Sequence, residues 1–205
     1  MFLIKVVKVF NRKDYNNASR KMNEHEFLKS LSETRKLEPE EYRVAVSDLF
    51  RDFIRQKLET KTGAAFKTQV VSVRGLSFVH RPDLWLGLPN FPDIYLETKV
   101  IATAQRVAPD HDKRMYQIAL ASVDLKLQIG QGKPWKNIKN KHPCVAFALA
   151  IPSTTPARIL QHVEDHVFSL WNCYLNACCL YIYDLEQMRR RDDLLENGLT
   201  CLNQK

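Results

Sequence analysis

The chain has 205 residues, of which 45% are hydrophobic and 26% are charged, and this apolar content excludes an intrinsically disordered protein. Its 31 Lys and Arg residues outnumber its 23 Asp and Glu residues, and the resulting net charge of +8 favours a polyanionic partner such as nucleic acid. No apolar run reaches the roughly 20 residues needed to cross a bilayer, and the first ten residues lack the pattern of a signal peptide. The five cysteines form no C-x-x-C pair, which is typical of reduced thiols. We therefore expect a cytoplasmic protein with no membrane partner.

The first half of the chain is predicted to change from helical to extended structure after Gly63. A strand over residues 2–10 and a short helical pattern at residues 27–31 precede a long amphipathic helix from Pro39 to Lys61. Gly63 is a suitable C-terminal stop for that helix. Beyond it the apolar period becomes two, which predicts strands over residues 68–73, 84–88 and 94–100.

The second half of the chain is predicted to alternate between helices and strands. A helix over residues 110–129, which Gly130 can end, precedes a basic loop and a buried strand over residues 145–151. Thr155 is predicted as the N-cap and Pro156 as the first residue of a helix that reaches Trp171, and residues 178–183 form a last strand. This order predicts an α/β fold with a central mixed sheet flanked by helices.

The chain shows no internal repeat and no linker-like segment, so we expect one domain over residues 1–205. Within it, residues 1–38 are predicted as a basic N-terminal extension that contacts DNA or a second subunit, and residues 39–185 as the core.

The chemically informative segment ends in Glu97-Thr98-Lys99 on a predicted strand. Because side chains alternate along a strand, Glu97 and Lys99 point to one face. A carboxylate in this arrangement can bind Mg²⁺, while the ammonium orients an attacking water or lowers its pKa. The segment therefore predicts a hydrolytic metal site that needs one more acid.

Two aspartates are candidates for that acid, Asp83 and Asp93, and each follows a proline. Asp93 precedes Glu97 on the same strand by about 13 Å, which is too far for two short side chains to share Mg²⁺ unless a bulge bends the strand. A hairpin through the breakers at residues 89–92 would instead bring Asp83 opposite Glu97, with roughly 5 Å between the strands. The spacing favours Asp83 and leaves Asp93 as the alternative.

At this point the chain resembles a known superfamily. Pro82-Asp83, followed after thirteen residues by Glu97-Thr98-Lys99, resembles the signature of the PD-(D/E)XK nucleases. The helix–three strands–helix–strand order over residues 40–185 likewise resembles their restriction-endonuclease-like core. The resemblance implies hydrolysis of DNA phosphodiesters with Mg²⁺ or Mn²⁺, with Asp83 and Glu97 as metal ligands and Lys99 as the catalytic lysine. Thr98 departs mildly from the apolar residue often found there.

The resemblance is strongest to type II restriction endonucleases, which implies double-stranded DNA as the substrate and a prokaryotic, phage or mobile-element context. Cutting both strands of a palindromic site implies a homodimer. Two alternatives stay open. One is a structure-directed or end-directed nuclease of recombination, transposition or repair, and the other is a non-catalytic DNA-binding protein on the same fold.

Candidate phosphate contacts lie in the two most basic segments of the chain, where they would hold the DNA backbone without reading bases. They are Lys13 and Arg20 in the N-terminal extension and Lys133, Lys136 and Lys139 in the loop near Trp135. Arg189, Arg190 and Arg191 are predicted as a solvated helix end.

Four further residues have weaker indications. His162 and His166 lie one helical turn apart, which permits a shared metal, but the sequence shows no third ligand. Glu41 and Gln117 fit solvated helix positions better than a place beside the metal.

Overall fold

The computed structural model describes residues 22–68, 72–87, 93–129, 143–186 and 188–190. In this part of the chain, no helix has the length and apolar character needed to span a membrane. The helices are α1 (Glu24–Thr34), α2 (Pro39–Thr62), α3 (Ala104–Ile129) and α4 (Ala157–Cys173). The strands are β1 (Lys67–Thr68), β2 (Val73–Arg74), β3 (Val79–His80), β4 (Leu84–Leu86), β5 (Ile94–Val100), β6 (Cys144–Pro152), β7 (Ala177–Asp184) and β8 (Arg189–Arg190).

The predicted α/β fold with a mixed sheet flanked by helices is confirmed. Six strands form the sheet in the order β1-β4-β5-β6-β7-β8, and β2 pairs with β3 in a separate ribbon. The neighbours β5, β6 and β7 are parallel, whereas β1, β4 and β8 join antiparallel. Parallel neighbours require long crossovers, and α3 and α4 occur in those two connections.

The two faces of the sheet pack against different helices. On β5, Leu96 lies in a core with α1 and α2, whereas Tyr95 lies in a second core with α3 and α4. Strand β6 divides in the same way, with Ala148 in the first core and Phe147 in the second. Alternation along β5 therefore directs Glu97 and Lys99 toward the face that α3 and α4 cover.

Local signals account for several helix ends. Helix α1 begins with a capping box, in which Asn23 and Glu26 each accept the other's backbone N–H. Helix α2 ends at Gly63, which adopts φ 69° and donates its N–H to Glu59, as the left-handed stop requires. The predicted bounds of this helix are confirmed to within one residue.

The predicted starts of two helices are wrong. Helix α3 begins at Ala104 and contains Pro109, because burial of Val107 against the sheet outweighs the local preference against helix before a proline. Helix α4 begins at Ala157 with Pro156 as its N-cap, since the Thr155 hydroxyl donates to the Pro152 carbonyl instead of capping the helix.

The remaining differences concern strands. Arg189 and Arg190 form β8 rather than a helix end, because they pair with β7, and Arg191 lies outside the described residues. The strand predicted over residues 68–73 is divided between β1 and β2, with residues 69–71 outside the description. The strand predicted over residues 2–10 also lies outside it.

Helix α1 packs in the core although it precedes residue 39, where the predicted core begins. Phe27 stacks on Phe53 with ring centroids 4.3 Å apart and meets Tyr181 edge-on at 5.7 Å. Leu28 and Leu31 are buried beside it. These contacts join α1 to α2 and to the centre of the sheet.

Truncating Phe27 should therefore destabilise the whole fold. We expect Phe27→Ala to lower the free energy of unfolding by about 3–5 kcal/mol, because it leaves a cavity among packed rings. Urea denaturation measures the change. Val44→Ala, at a position on α2 that is 63% exposed, serves as the control and should cost less than about 0.5 kcal/mol. Equal effects of the two substitutions would show that α1 is not part of the core.

Candidate active site

The register of β4 and β5 brings the predicted residues together. Leu84 pairs with Leu96 and Leu86 pairs with Ile94, so the antiparallel pairing predicted from the hairpin is confirmed. Asp83 directly precedes the pair Leu84–Leu96, and Glu97 directly follows it. The two acids therefore lie at the same end of this strand pair.

Asp83 is held against β5 by hydrogen bonds to Thr98. The Asp83 Oδ2 atom accepts the Thr98 backbone N–H at 2.8 Å and the Thr98 hydroxyl at 2.9 Å. Strand β4 begins at Leu84, so the β4–β5 ladder offers no backbone carbonyl to the Thr98 N–H, and the Asp83 carboxylate accepts it instead. The position of Asp83 is thereby determined by the sheet itself.

Lys99 lies between the two carboxylates. Its Nζ atom is 2.5 Å from Glu97 Oε1 and 3.9 Å from Asp83 Oδ2. One ammonium is thus within ion-pairing range of both acids, and all three side chains are partly exposed. The structure therefore joins Asp83, Glu97 and Lys99, as the sequence predicts.

The pKa of Glu97 is raised above its usual value. Burial is the main cause, and the charge of Asp83 acts in the same direction. The Lys99 ammonium and the Asp83 backbone N–H lower the pKa of Glu97 but do not cancel the rise. A poorly solvated carboxylate beside a second one favours a further cation at this position.

A cleft of about 370 Å³ opens beside this cluster. Glu97 and Lys99 line its β5 side, Arg114 and Gln117 line its α3 side, and Arg81 lies at the end of β3. Arg81 donates to the Ser72 hydroxyl and Arg114 to the Gln117 side chain, both of which are neutral. Within the described residues neither guanidinium has a carboxylate partner, so both charges are available to a polyanion.

Asp93 does not join the cluster. It lies just before β5, and its Oδ2 atom accepts the Tyr95 hydroxyl at 3.2 Å. Strand β5 pairs with β6 residue by residue from Ile94 to Val100, so no bulge bends it. The regular rise along the strand places Asp93 about 13 Å from Glu97, which fits the preference for Asp83 over Asp93.

The weaker candidates have different outcomes. Gln117 is exposed and lines the cleft, and Glu41 is exposed on the first turn of α2. Among the described residues that line the cleft, Glu41 does not occur. The predicted DNA contacts Lys13, Arg20, Lys133, Lys136 and Lys139 lie outside the described residues.

One wall of the cleft depends on a buried carboxylate that sequence reasoning missed. Asp124 on α3 accepts the backbone N–H groups of Ser77 at 2.7 Å and Phe78 at 3.2 Å, and it binds His80 Nε2 at 2.7 Å. A Cβ atom on Gly75 would lie 1.8 Å from Asp124 Oδ2, so this turn requires glycine. His80, which lines the cleft, is thus held by α3.

The residues of the cluster fit a hard divalent cation. Mg²⁺ prefers carboxylate oxygens and retains several of its waters, which a partly exposed pair of acids beside a cleft allows. Asp83 and Glu97 supply the oxygens, and within the part of the chain described here no cysteine lines the cleft. These donors suit Mg²⁺ or Mn²⁺ better than a softer metal.

A scan against protein-family models finds no match to this chain, and a search of curated proteins finds none either.

Asp124 should contribute to stability in a pH-dependent way. Burial alone would raise the pKa of Asp124, but hydrogen bonds from His80, Ser77 and Phe78 outweigh it and lower that pKa. A lowered pKa means that the contribution is present above the pKa of the unfolded chain, about 4, and is lost as the pH falls through the folded value.

We therefore expect Asp124→Asn to destabilise the protein by about 1–3 kcal/mol near neutral pH. The difference from the wild type should shrink as the pH falls below about 4. Chemical denaturation at about pH 7 and about pH 3 measures both values. The exposed Asp165→Asn is the matched control and should show neither effect. A difference that is independent of pH would contradict the assignment of a lowered pKa.

Proposed function

We propose that this protein is a metal-dependent endonuclease that hydrolyses phosphodiester bonds of double-stranded DNA. The observation that carries the proposal is the proximity of Asp83, Glu97 and Lys99 beside a cleft lined by Arg81 and Arg114, whose hydrogen-bond partners among the described residues are neutral. The antiparallel pair β4–β5, followed by α3 and the parallel strand β6, supports a restriction-endonuclease-like core. The net charge of +8 suits a polyanionic substrate.

Asp83 and Glu97 are the residues that would hold the metal. When bound, Mg²⁺ supplies Lewis-acid stabilisation of the negative charge that develops on the phosphoryl group. The hydrogen bonds from Thr98 restrict Asp83 to one orientation, so little ordering remains to be done when a cation binds. The pKa of Glu97 is raised mainly because burial removes water from its carboxylate. A bound cation would compensate for this lost hydration.

Lys99 is the residue that would act on the nucleophile. Its ammonium lies beside both metal-binding carboxylates, where it can orient a water for attack on phosphorus and stabilise the added charge. Attack by water forms a new P–O bond and breaks the bond to the 3′ oxygen. The attacking water releases its proton to solvent, and the 3′ oxygen leaves with a proton from solvent. Arg81 and Arg114 would hold neighbouring phosphates and so fix the position of the DNA.

Within this class we propose a type II restriction enzyme acting as a homodimer. A homodimer cutting a palindromic site produces discrete fragments from a defined DNA. Smears, or cutting confined to branched junctions or ends, would instead indicate a nuclease of recombination, transposition or repair. Binding without any cleavage would indicate a non-catalytic DNA-binding protein.

Plasmid cleavage tests the catalytic assignment. With Mg²⁺ present, we expect Asp83→Asn, Glu97→Gln and Lys99→Met each to lower the cleavage rate by about 10²–10⁴-fold, because each removes a metal ligand or the group that acts on the water. Chelation of the metal should abolish cleavage, and Lys99→Met should still bind DNA in Ca²⁺. The exposed Lys61→Met on α2 is the control and should cut like the wild type. Cleavage by Lys99→Met at the wild-type rate would refute the proposal.

A second experiment separates the two aspartates. Asp83→Asn should lose far more activity than Asp93→Asn, because Asp83 lies beside Lys99 whereas Asp93 binds the Tyr95 hydroxyl. We expect Asp93→Asn to change the rate by less than about tenfold. Circular dichroism spectra of both variants should match that of the wild type, which checks that they are folded. Similar losses of activity in both variants would mean that Asp93 also binds the metal.

A further inference from the structure

Four side chains from α3 and α4 converge away from the cleft. His111 and Asp112 come from α3, and His162 and His166 come from α4. One candidate ligand atom from each residue lies within 4.8 Å of those of the other three. None of these residues is among those that line the cleft in the described part of the chain.

Asp112 lies at the centre of this histidine cluster. Its Oδ1 atom is 3.0 Å from His111 Nε2, 3.1 Å from His166 Nδ1 and 3.9 Å from His162 Nε2. Ligand atoms of a tetrahedral zinc site, with bonds of about 2.0–2.1 Å, lie roughly 3.3 Å apart. The cluster therefore has nearly the spacing of a coordination shell.

His111 has the hydrogen bonding expected of a metal ligand. Its ring is only 2% exposed, and its Nδ1 atom lies 2.9 Å from the Val107 carbonyl oxygen. That oxygen can only accept, so Nδ1 carries a hydrogen, and the second nitrogen of the neutral ring, Nε2, carries a lone pair. Ligating histidines are commonly oriented in this way by a backbone carbonyl.

The Nε2 atom of His111 is buried and, among the described residues, has no hydrogen-bond partner. It nevertheless faces Asp112 Oδ1, so a lone pair on a neutral ring would face a carboxylate oxygen at 3.0 Å. Two acceptors at this distance repel each other unless a proton or a metal ion lies between them. His162 and His166 approach the same oxygen and supply two further nitrogen ligands, which favours a metal ion over a proton.

We infer that His111, Asp112, His162 and His166 form a structural site for a transition-metal cation of the zinc class. Three imidazoles and one carboxylate suit Zn²⁺, whereas Mg²⁺ and Ca²⁺ prefer oxygen ligands. Four protein ligands close the coordination shell, as in structural sites. His162 and His166 are 52% and 38% exposed, so an ion can enter from solvent.

The expected effect of this site is to tie α3 to α4. Both helices pack on the same face of the sheet, and α3 also carries Arg114 and Gln117 of the cleft. A metal that joins them restricts α3 in the folded state and stabilises that state relative to the unfolded chain. This inference does not depend on the proposed nuclease activity.

Direct metal binding to the full-length, untagged protein tests the inference. After chelator treatment and dialysis, titration with Co²⁺ should give the visible absorption of a tetrahedral complex at one ion per chain, and Zn²⁺ should displace it. The thermal unfolding midpoint should rise with Zn²⁺. We expect His162→Ala and His166→Ala each to weaken Co²⁺ binding by more than about tenfold. Both positions are partly exposed, so these variants should fold even if His111→Ala does not.

Two controls separate this site from other histidines and from the proposed nuclease site. His25→Ala, at an exposed position on α1, should give the same tetrahedral Co²⁺ absorption as the wild type, and so should Glu97→Gln, which removes a proposed Mg²⁺ ligand. If the double variant His162→Ala/His166→Ala binds Co²⁺ and Zn²⁺ as tightly as the wild type, or if the wild type binds neither ion, the inference is wrong. The four residues would then form an imidazole–carboxylate cluster without a metal.

Discussion

The antiparallel pairing of β4 with β5 is the constraint on which the candidate active site depends. It places Asp83 beside Glu97, and the Thr98 N–H beyond the last ladder pair holds the Asp83 carboxylate. A shift of one residue in this register would move the buried set Leu84 and Leu86 to the opposite face of the sheet. Because Leu84 is completely buried, the core strongly opposes such a shift, and the site inherits its geometry from the packing of the sheet.

The cleft has two zones of opposite charge preference. Near β5, one ammonium faces two carboxylates, so a cation of higher charge is favourable there. Toward α3 and the end of β3, Arg81 and Arg114 have neutral partners and favour an anion. A phosphodiester with a divalent cation would satisfy both zones at once, which is the electrostatic basis of the substrate proposed above.

Helix α3 connects the cleft to the histidine cluster. One of its faces carries Arg114 and Gln117 at the cleft, and its buried His111 faces α4. The two sites differ in donor chemistry, since one offers carboxylate oxygens and the other mainly imidazole nitrogens. A single metal would therefore not be expected to serve both, and Mg²⁺ and Zn²⁺ binding can be measured separately.

The sequence by itself determined the features that depend on residues close together in the chain. The bounds of β5 and α2, and the pairing of Asp83 with Glu97, follow from periodicity, breakers and the length of one hairpin. Only the tertiary structure decided which helix faces meet the sheet and each other. It extended α3 back to Ala104 and buried His111 beside His162 and His166, residues that are distant in sequence. Helical periodicity shows that one face is apolar but not which partner covers it, because docking is determined by the complementary packing of several elements at once.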